Sequence, residues 1–213
     1  MGMRIRDAVP GDAVSLVEIA SSVRLRASMD AEQQKQGFLI DISLEQYRYF
    51  IANDHVLVME ESRSRRLVGF LVILGPRTMA ATGILEKAEH IGGATLNIQE
   101  LDPEACAYWE QIAFLPRYAK GLYPVYLGFT GLRQAFLKYE HLFGAVVSRP
   151  IPNLAPRRLL DAMGWRSVGW IDQDYPAHGR VRYDVYYLNR SEFEKRLQEP
   201  AVRHLEERLG GDI

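Results

Sequence analysis

The amino-acid sequence predicts an α/β layer fold, a mixed sheet flanked by helices. Three observations predict it. Apolar runs of strand length alternate with segments of helical periodicity along most of the chain. Two of those runs, 107–115 and 141–148, are separated by one helix-length segment, the spacing of a crossover between parallel strands. A helix–glycine–strand unit follows at Asn153–Ile171.

The elements follow in order. Met3–Val9 alternates apolar and charged residues and predicts a first strand. Pro10-Gly11-Asp12 is a turn whose Asp can cap a helix carrying Val14, Leu16, Val17, Ile19 and Ala20 on its apolar face. Residues 24–43 are polar and mixed, and Ser43 precedes a second helix with Leu44, Tyr47, Phe50 and Ile51. His55–Glu60 and Leu67–Leu74 form a hairpin across the charged turn Glu61–Arg66, and Gly75-Pro76 ends its second strand. Residues 76–107 read as an insertion between core strands, in which Gly83–Gly93 can hold one short helix that stops at Gly92-Gly93. Ala107–Leu115 is a strand, and Pro116–Pro124 is a loop entering a helix with Val125, Leu127, Leu132, Ala135 and Phe136 on its buried side. His141–Ser148 is the next strand. Asn153 can cap a helix with Pro156 in its first turn and Leu159, Leu160 and Met163 as a stripe. Gly164 is placed for a left-handed stop before a strand with Trp165, Val168 and Trp170. Arg180–Leu188 is a last strand, and Ser191 can cap a terminal helix over about 191–209.

Composition bounds the function. The length of 213 residues suits a single domain with elaborations, and 47% hydrophobic with 25% charged residues is ordinary for a soluble globule. The formal net charge of -1 creates no field for nucleic acid or an anionic membrane, so neither is expected as a partner. Arg63, Arg65 and Arg66 cluster with serines between two strands, which reads as a solvated hairpin turn. Cys106 is the only cysteine, which excludes an internal disulfide and any site needing two Cys ligands; no metal site is predicted. The N-terminus carries no apolar leader, and the expected location is the cytoplasm.

The unit Asn153–Ile171, an Asn, a short helix and then Gly164-Trp165, resembles the late helix–strand signature of the GNAT-type N-acetyltransferases, and the order of elements is similar across about residues 3–190. The resemblance implies a largely antiparallel mixed sheet in which the strands at 107–115 and 141–148 lie parallel at the centre and splay apart. It implies acetyl-CoA as cofactor, its pantetheine arm in the gap against backbone groups of Ile112, Ala113 and Phe114. An opened strand pair must satisfy its N–H and C=O groups with something. The pyrophosphate would rest on the loop at the start of the next helix, where Lys120, Gly121, Leu122 and Tyr123 lie, with backbone N–H groups and the helix dipole holding the charge. The family pattern there is Gln or Arg, two residues, Gly, one residue, then Gly or Ala. This sequence departs from it: only Gly121 fits, Tyr118 stands for Gln or Arg, and Tyr123 stands for the second small residue. Arg117 and Lys120 are cations available to compensate. Asn153 and Arg157 join the cofactor-binding set by the same resemblance.

The implied reaction is direct transfer of an acetyl group to an amine of a small molecule or peptide. Glu110 is the implied base; the residue also reads as a charge on the solvated face of a strand. Many relatives carry on the late helix a Tyr that protonates the departing thiolate, and Leu160 stands there instead. Tyr108, Tyr183 or Tyr186 could replace it, with Tyr108 grouped here with Glu110 as catalytic. The second function class is a non-catalytic module of the same fold that binds or senses an acyl-CoA. The terminal helix leaves a homodimer open.

Overall fold

The computed structural model describes residues 2–24, 37–39, 43–175, 179–200 and 202–204. Seven strands form one sheet in the order β1-β2-β3-β4-β5-β7-β6. They are β1 (Met3–Asp7), β2 (His55–Glu61), β3 (Leu67–Leu74), β4 (Cys106–Phe114), β5 (His141–Arg149), β6 (Arg166–Tyr175) and β7 (Gly179–Asn189). Every neighbouring pair is antiparallel except β4 with β5, which are parallel. This is the mixed sheet with a central parallel pair that the sequence predicts. All eight residues of β3 are buried, as a strand covered on both faces must be.

The helices are α1 (Ala13–Ser22), α2 (Leu44–Asn53), α3 (Pro76–Ala81), α4 (Ile84–Ala88), α5 (Tyr123–Phe136), α6 (Leu154–Ala162) and α7 (Arg190–Leu197). On one face of the sheet Leu16 and Ile19 of α1, Tyr47 and Phe50 of α2 and Met79 of α3 pack on Val58, Phe70 and Val72. On the other, α5, α6 and α7 pack on Leu57, Leu71 and Ile73 through Leu127, Leu132, Leu160, Met163 and Phe193. Helix α5 approaches the sheet so closely that a Cβ at Gly131 would lie 2.0 Å from Leu71 Cδ2. Ser43 caps α2 in a reciprocal box with Gln46. Gly164 takes φ +88, the left-handed stop expected after α6.

Several expectations are corrected. Asn153 occupies the cap position of α6, yet its side chain makes no capping bond and is used elsewhere. The last helix is capped by Asn189 in a box with Glu192, not by Ser191, and α7 ends at Leu197; of the rest of the expected 191–209 helix, 200 and 202–204 are helical, while 201 and 205–209 lie outside the described residues. The stretch Gly83–Gly93 holds the one short helix expected there, α4, and Pro76 opens a further short helix, α3, as well as ending β3. Gly92 and Gly93 are not a helix stop, since α4 ends at Ala88. They lie under the Trp170 ring, where an added Cβ would come within 2.6 Å and 2.1 Å of it. There Gly92 and Trp170 exchange backbone hydrogen bonds, so the insertion is stitched to the edge strand β6. The Arg63–Arg66 turn is a hairpin turn as expected, with Arg65 paired at 2.9 Å to the buried Glu60.

Candidate active site

The site begins where β4 and β5 separate. Their pairing runs from Cys106↔His141 to Trp109↔Gly144 and stops, although β4 continues to Phe114 and β5 to Arg149. On its other edge β4 stays bonded to β3, and the amide of Leu115, just past its end, donates to Val68 C=O at 2.9 Å. Antiparallel ladders alternate the side to which backbone groups point. Leu115 therefore fixes the parity: Ala113 turns its N–H and C=O to β3, while Ile112 and Phe114 turn theirs into the gap. Of the three residues expected to offer backbone contacts, two have their backbone groups free among the described residues and Ala113 does not.

A bulge in β4 places the next feature. Val72 faces Gln111 and Ile73 faces Trp109, so Glu110 is an extra residue with no partner on β3. The bulge resets the alternation: Cys106 and Tyr108 share a face with Gln111 and Ala113, and Ala107 and Trp109 share the other with Ile112 and Phe114. Tyr47 Oη, fully buried, donates to Gln111 Oε1 at 2.8 Å and fixes the strand just beyond the bulge. Glu110 lines a cavity of about 390 Å³ that passes through the gap and touches both layers, from α4 on one side to Pro156, Leu159 and Leu160 of α6 on the other. Loss of water pushes the Glu110 carboxyl up to about 7, opposed by the positive charge of Lys87 on α4.

Tyrosines surround that carboxyl. Tyr108, Tyr175 and Tyr183 line the same cavity, and Tyr183 Oη donates to Tyr175 Oη at 2.6 Å. Burial, and then the neighbouring Glu110 and Tyr175, hold the Tyr108 phenol well above its ordinary range; burial and the bond to Tyr175 do the same for Tyr183. These hydroxyls stay protonated at neutral pH. Tyr186 points to the opposite face of the sheet, in the core under α6, and leaves the set of acid candidates. Tyr175 was not singled out from sequence; it pairs with Gly179 at the end of the β6–β7 pair, and its ring reaches to within 6.3 Å of the Tyr183 ring, centroid to centroid.

The loop before α5 is held from below. Tyr118 is buried, its hydroxyl donates to Glu61 at the end of β2, and Arg117 approaches the same carboxylate at 3.3 Å. The residue standing for Gln or Arg is therefore an anchor of the loop, and Arg117 is partly engaged. Gly121 has φ +96 with open space around its missing side chain, and among the described residues the N–H groups of Gly121, Leu122 and Tyr123 have no partner. Lys120 is exposed beside them. Pro124 sits in the first turn of α5, where its absent N–H costs little.

Asn153 closes the far end of the gap. Its backbone N–H donates to Val147 C=O at 2.8 Å. Its side chain accepts from the Phe38 N–H at 3.2 Å and donates to the Phe38 C=O at 2.7 Å, a two-point clamp that lays Phe38 against the cavity. Leu160 is buried and lines the cavity, so no proton donor stands at that position of α6. Arg157 is exposed, beside Tyr186 of β7. Cys106 is a buried thiol donating to Asp102 C=O at 3.3 Å, and burial pushes it up to about 11, which suits a structural role. Among the described residues there is no cluster of metal-ligating side chains and no helix long and apolar enough to cross a membrane.

No protein-family model matches the sequence, and no curated protein is similar to it at the level of sequence. Solved structures are similar in fold. An acetyltransferase of the GNAT family from Streptococcus pneumoniae superposes with a TM-score of 0.57 at 16% identity, covering 88% of this chain and 98% of its own. Arabidopsis thaliana NAA60, solved with a bisubstrate analogue, gives a TM-score of 0.60 at 15% identity over 88% of this chain and 97% of its own. A Salmonella typhimurium protein solved with acetyl-CoA as its cofactor gives 0.56 at 14% identity over 89% and 94%. The chain has the GNAT fold.

Proposed function

We propose that this chain binds acetyl-CoA and transfers its acetyl group directly to an amine. The observation that carries the reading is the gap between β4 and β5 with Glu110 bulged into the cavity that crosses it. The residues present fit the cofactor. Ile112 and Phe114 offer backbone groups unpaired among the described residues to an amide-bearing arm, which would lie in the gap like an added strand. Gly121, Leu122 and Tyr123 offer N–H groups at the start of α5 for a pyrophosphate, with Lys120 beside them. When bound, acetyl-CoA supplies an activated thioester. Glu110, with its carboxyl near neutrality, takes a proton from the incoming ammonium and leaves a neutral amine. The Phe114 N–H points into the gap, where it can donate to an oxyanion as charge develops. Tyr108 keeps its proton and is the residue to return one to a departing thiolate, in place of the tyrosine that Leu160 replaces.

Two features favour the second reading, an acyl-CoA binding module without turnover: Leu160 on α6 and the single glycine of the phosphate loop. Calorimetry with acetyl-CoA, then release of free thiol against a panel of amines, separates the two. Tight binding with thiol release supports transfer; binding without release leaves the module; no binding removes both.

A further inference from the structure

We infer that the acceptor is a small monoamine carried on an apolar body, and that residues 76–105 are the specificity element that selects it. This deepens the acetyl-transfer reading and rests on it.

The wall of the cavity facing Glu110 comes from the insertion. Met79 of α3, Ile84 and Leu85 of α4, and Ile91, Ile98 and Leu101 beyond it all line the same space. Met79 is buried, whereas the other five are only half-buried. Apolar surface left open to a cavity is unfavourable relative to burial. A ligand with an apolar body recovers that cost, and an enclosed apolar cleft with a few convergent polar groups is the ordinary form of a small-molecule site. Four of the polar lining groups lie together, Glu110 with Tyr108, Tyr175 and Tyr183, and Gln46, Thr82, Gln111, Asn153 and Gln173 add uncharged polar groups to the lining.

Charge narrows the class. Among the described lining residues the charged ones are Glu110 and Lys87 alone. One carboxylate suits one ammonium. A polyamine would bring its second cation toward the apolar wall or toward Lys87, with no second carboxylate among the described lining residues to neutralise it. Size narrows it further. A volume of about 390 Å³ holds on the order of a dozen water-sized groups, and part of it lies in the gap itself. A peptide substrate needs a groove that also satisfies its backbone groups, and this wall offers mainly side-chain carbon.

The test uses the full chain with acetyl-CoA. Thiol release is measured against hexylamine, 2-phenylethylamine, spermidine and an unblocked tetrapeptide, and binding of 2-phenylethylamine is measured separately by calorimetry on protein saturated with CoA. The expected result is kcat/KM for the two apolar monoamines at least about tenfold above spermidine and the peptide. Leu85→Asp should lose that preference and the calorimetric signal with acetyl-CoA affinity unchanged, and Leu85→Met should keep both. Faster transfer to spermidine or the peptide overturns the acceptor class and leaves acetyl transfer standing. Binding of 2-phenylethylamine that Leu85→Asp abolishes, with no thiol release from any amine, does the reverse. Neither binding nor release overturns both.

Discussion

The two ends of the cleft are built by different means. At the Glu110 end, specific side chains converge: a bulged carboxylate, three tyrosines and a cation on α4. At the Gly121 end the groups on offer are mostly backbone N–H, and the side chains that matter, Tyr118 and Arg117, face Glu61 rather than a ligand. A side-chain site is written in residue identity, while a backbone site is written in conformation, which several sequences can encode. The poor match of the loop to the glycine pattern is therefore a weaker argument against cofactor binding than it looks in the sequence. Leu160 bears instead on turnover, because no backbone group lends a proton in its place and another side chain of the cavity must do so.

The largest effect expected is at the side-chain end. Glu110→Gln should lower turnover by about 10²–10⁴-fold, with acetyl-CoA affinity unchanged by calorimetry. The wild-type rate should rise with pH through about 7 as the carboxylate ionises, and that limb should vanish in the variant. Stability moves the other way. The folded carboxyl titrates near 7 against 4.5 for the free group. Between those values the folded state holds the extra proton, so stability falls as pH rises through that window. The glutamine variant escapes this and should be more stable than wild type by up to about 3 kcal/mol at pH 8, at 1.36 kcal/mol per unit. The gain should close below about pH 4.5, as urea midpoints at the two pH values would show. A wild-type rate in the variant would remove Glu110 from the mechanism.

At the backbone end the expected loss is smaller. Gly121→Asp adds a side chain at φ +96 and a negative charge where phosphate is expected, and should weaken acetyl-CoA on the order of tenfold. Gly121→Ala isolates the conformational part, since nothing lies within 4 Å of the added Cβ. An unchanged Kd for Gly121→Asp would move the phosphate site elsewhere.

The contrast also governs what could be read from sequence. The strands and the late helix were legible because burial imposes period and length: β3 matches its apolar run at Leu67–Leu74, and Gly164 stops α6 where expected. The resemblance singled out Glu110, but nothing in the sequence gives the reason it lines the cavity. The run A-Y-W-E-Q-I-A-F has no clean alternation, and the bulge that explains this depends on β3 skipping one residue. Gly92 and Gly93 were misread because a glycine pair that ends a helix and one that lets an indole lie flat on the backbone look the same in sequence. Asn153 was misread likewise: an Asn before a helix is a cap by local rules, and only the distant Phe38 shows its other use.

The Asn153 clamp closes the far end of the gap. Asn153→Ala removes both side-chain bonds to Phe38 and leaves a buried amide and carbonyl unmet, which should cost about 1–3 kcal/mol in denaturant unfolding. If Asn153 instead serves mainly to contact a cofactor, acetyl-CoA affinity will fall with no loss of stability.

The smallest effect is the one that tests the electrostatics of the site most directly. The charge of Lys87 holds the Glu110 carboxyl below the value that burial alone would set. Removing it in Lys87→Ala should move the acid limb of the pH–rate profile upward by a fraction of a pH unit, because an exposed ammonium is well screened. Raising salt should move the wild-type limb in the same direction and leave the variant's in place, since screening and deletion act on the same interaction. A limb that ignores both changes would mean that the group titrating in the rate is not the carboxyl facing α4. The tyrosines of the same wall, whose protons come off far above neutrality, could not produce that limb either.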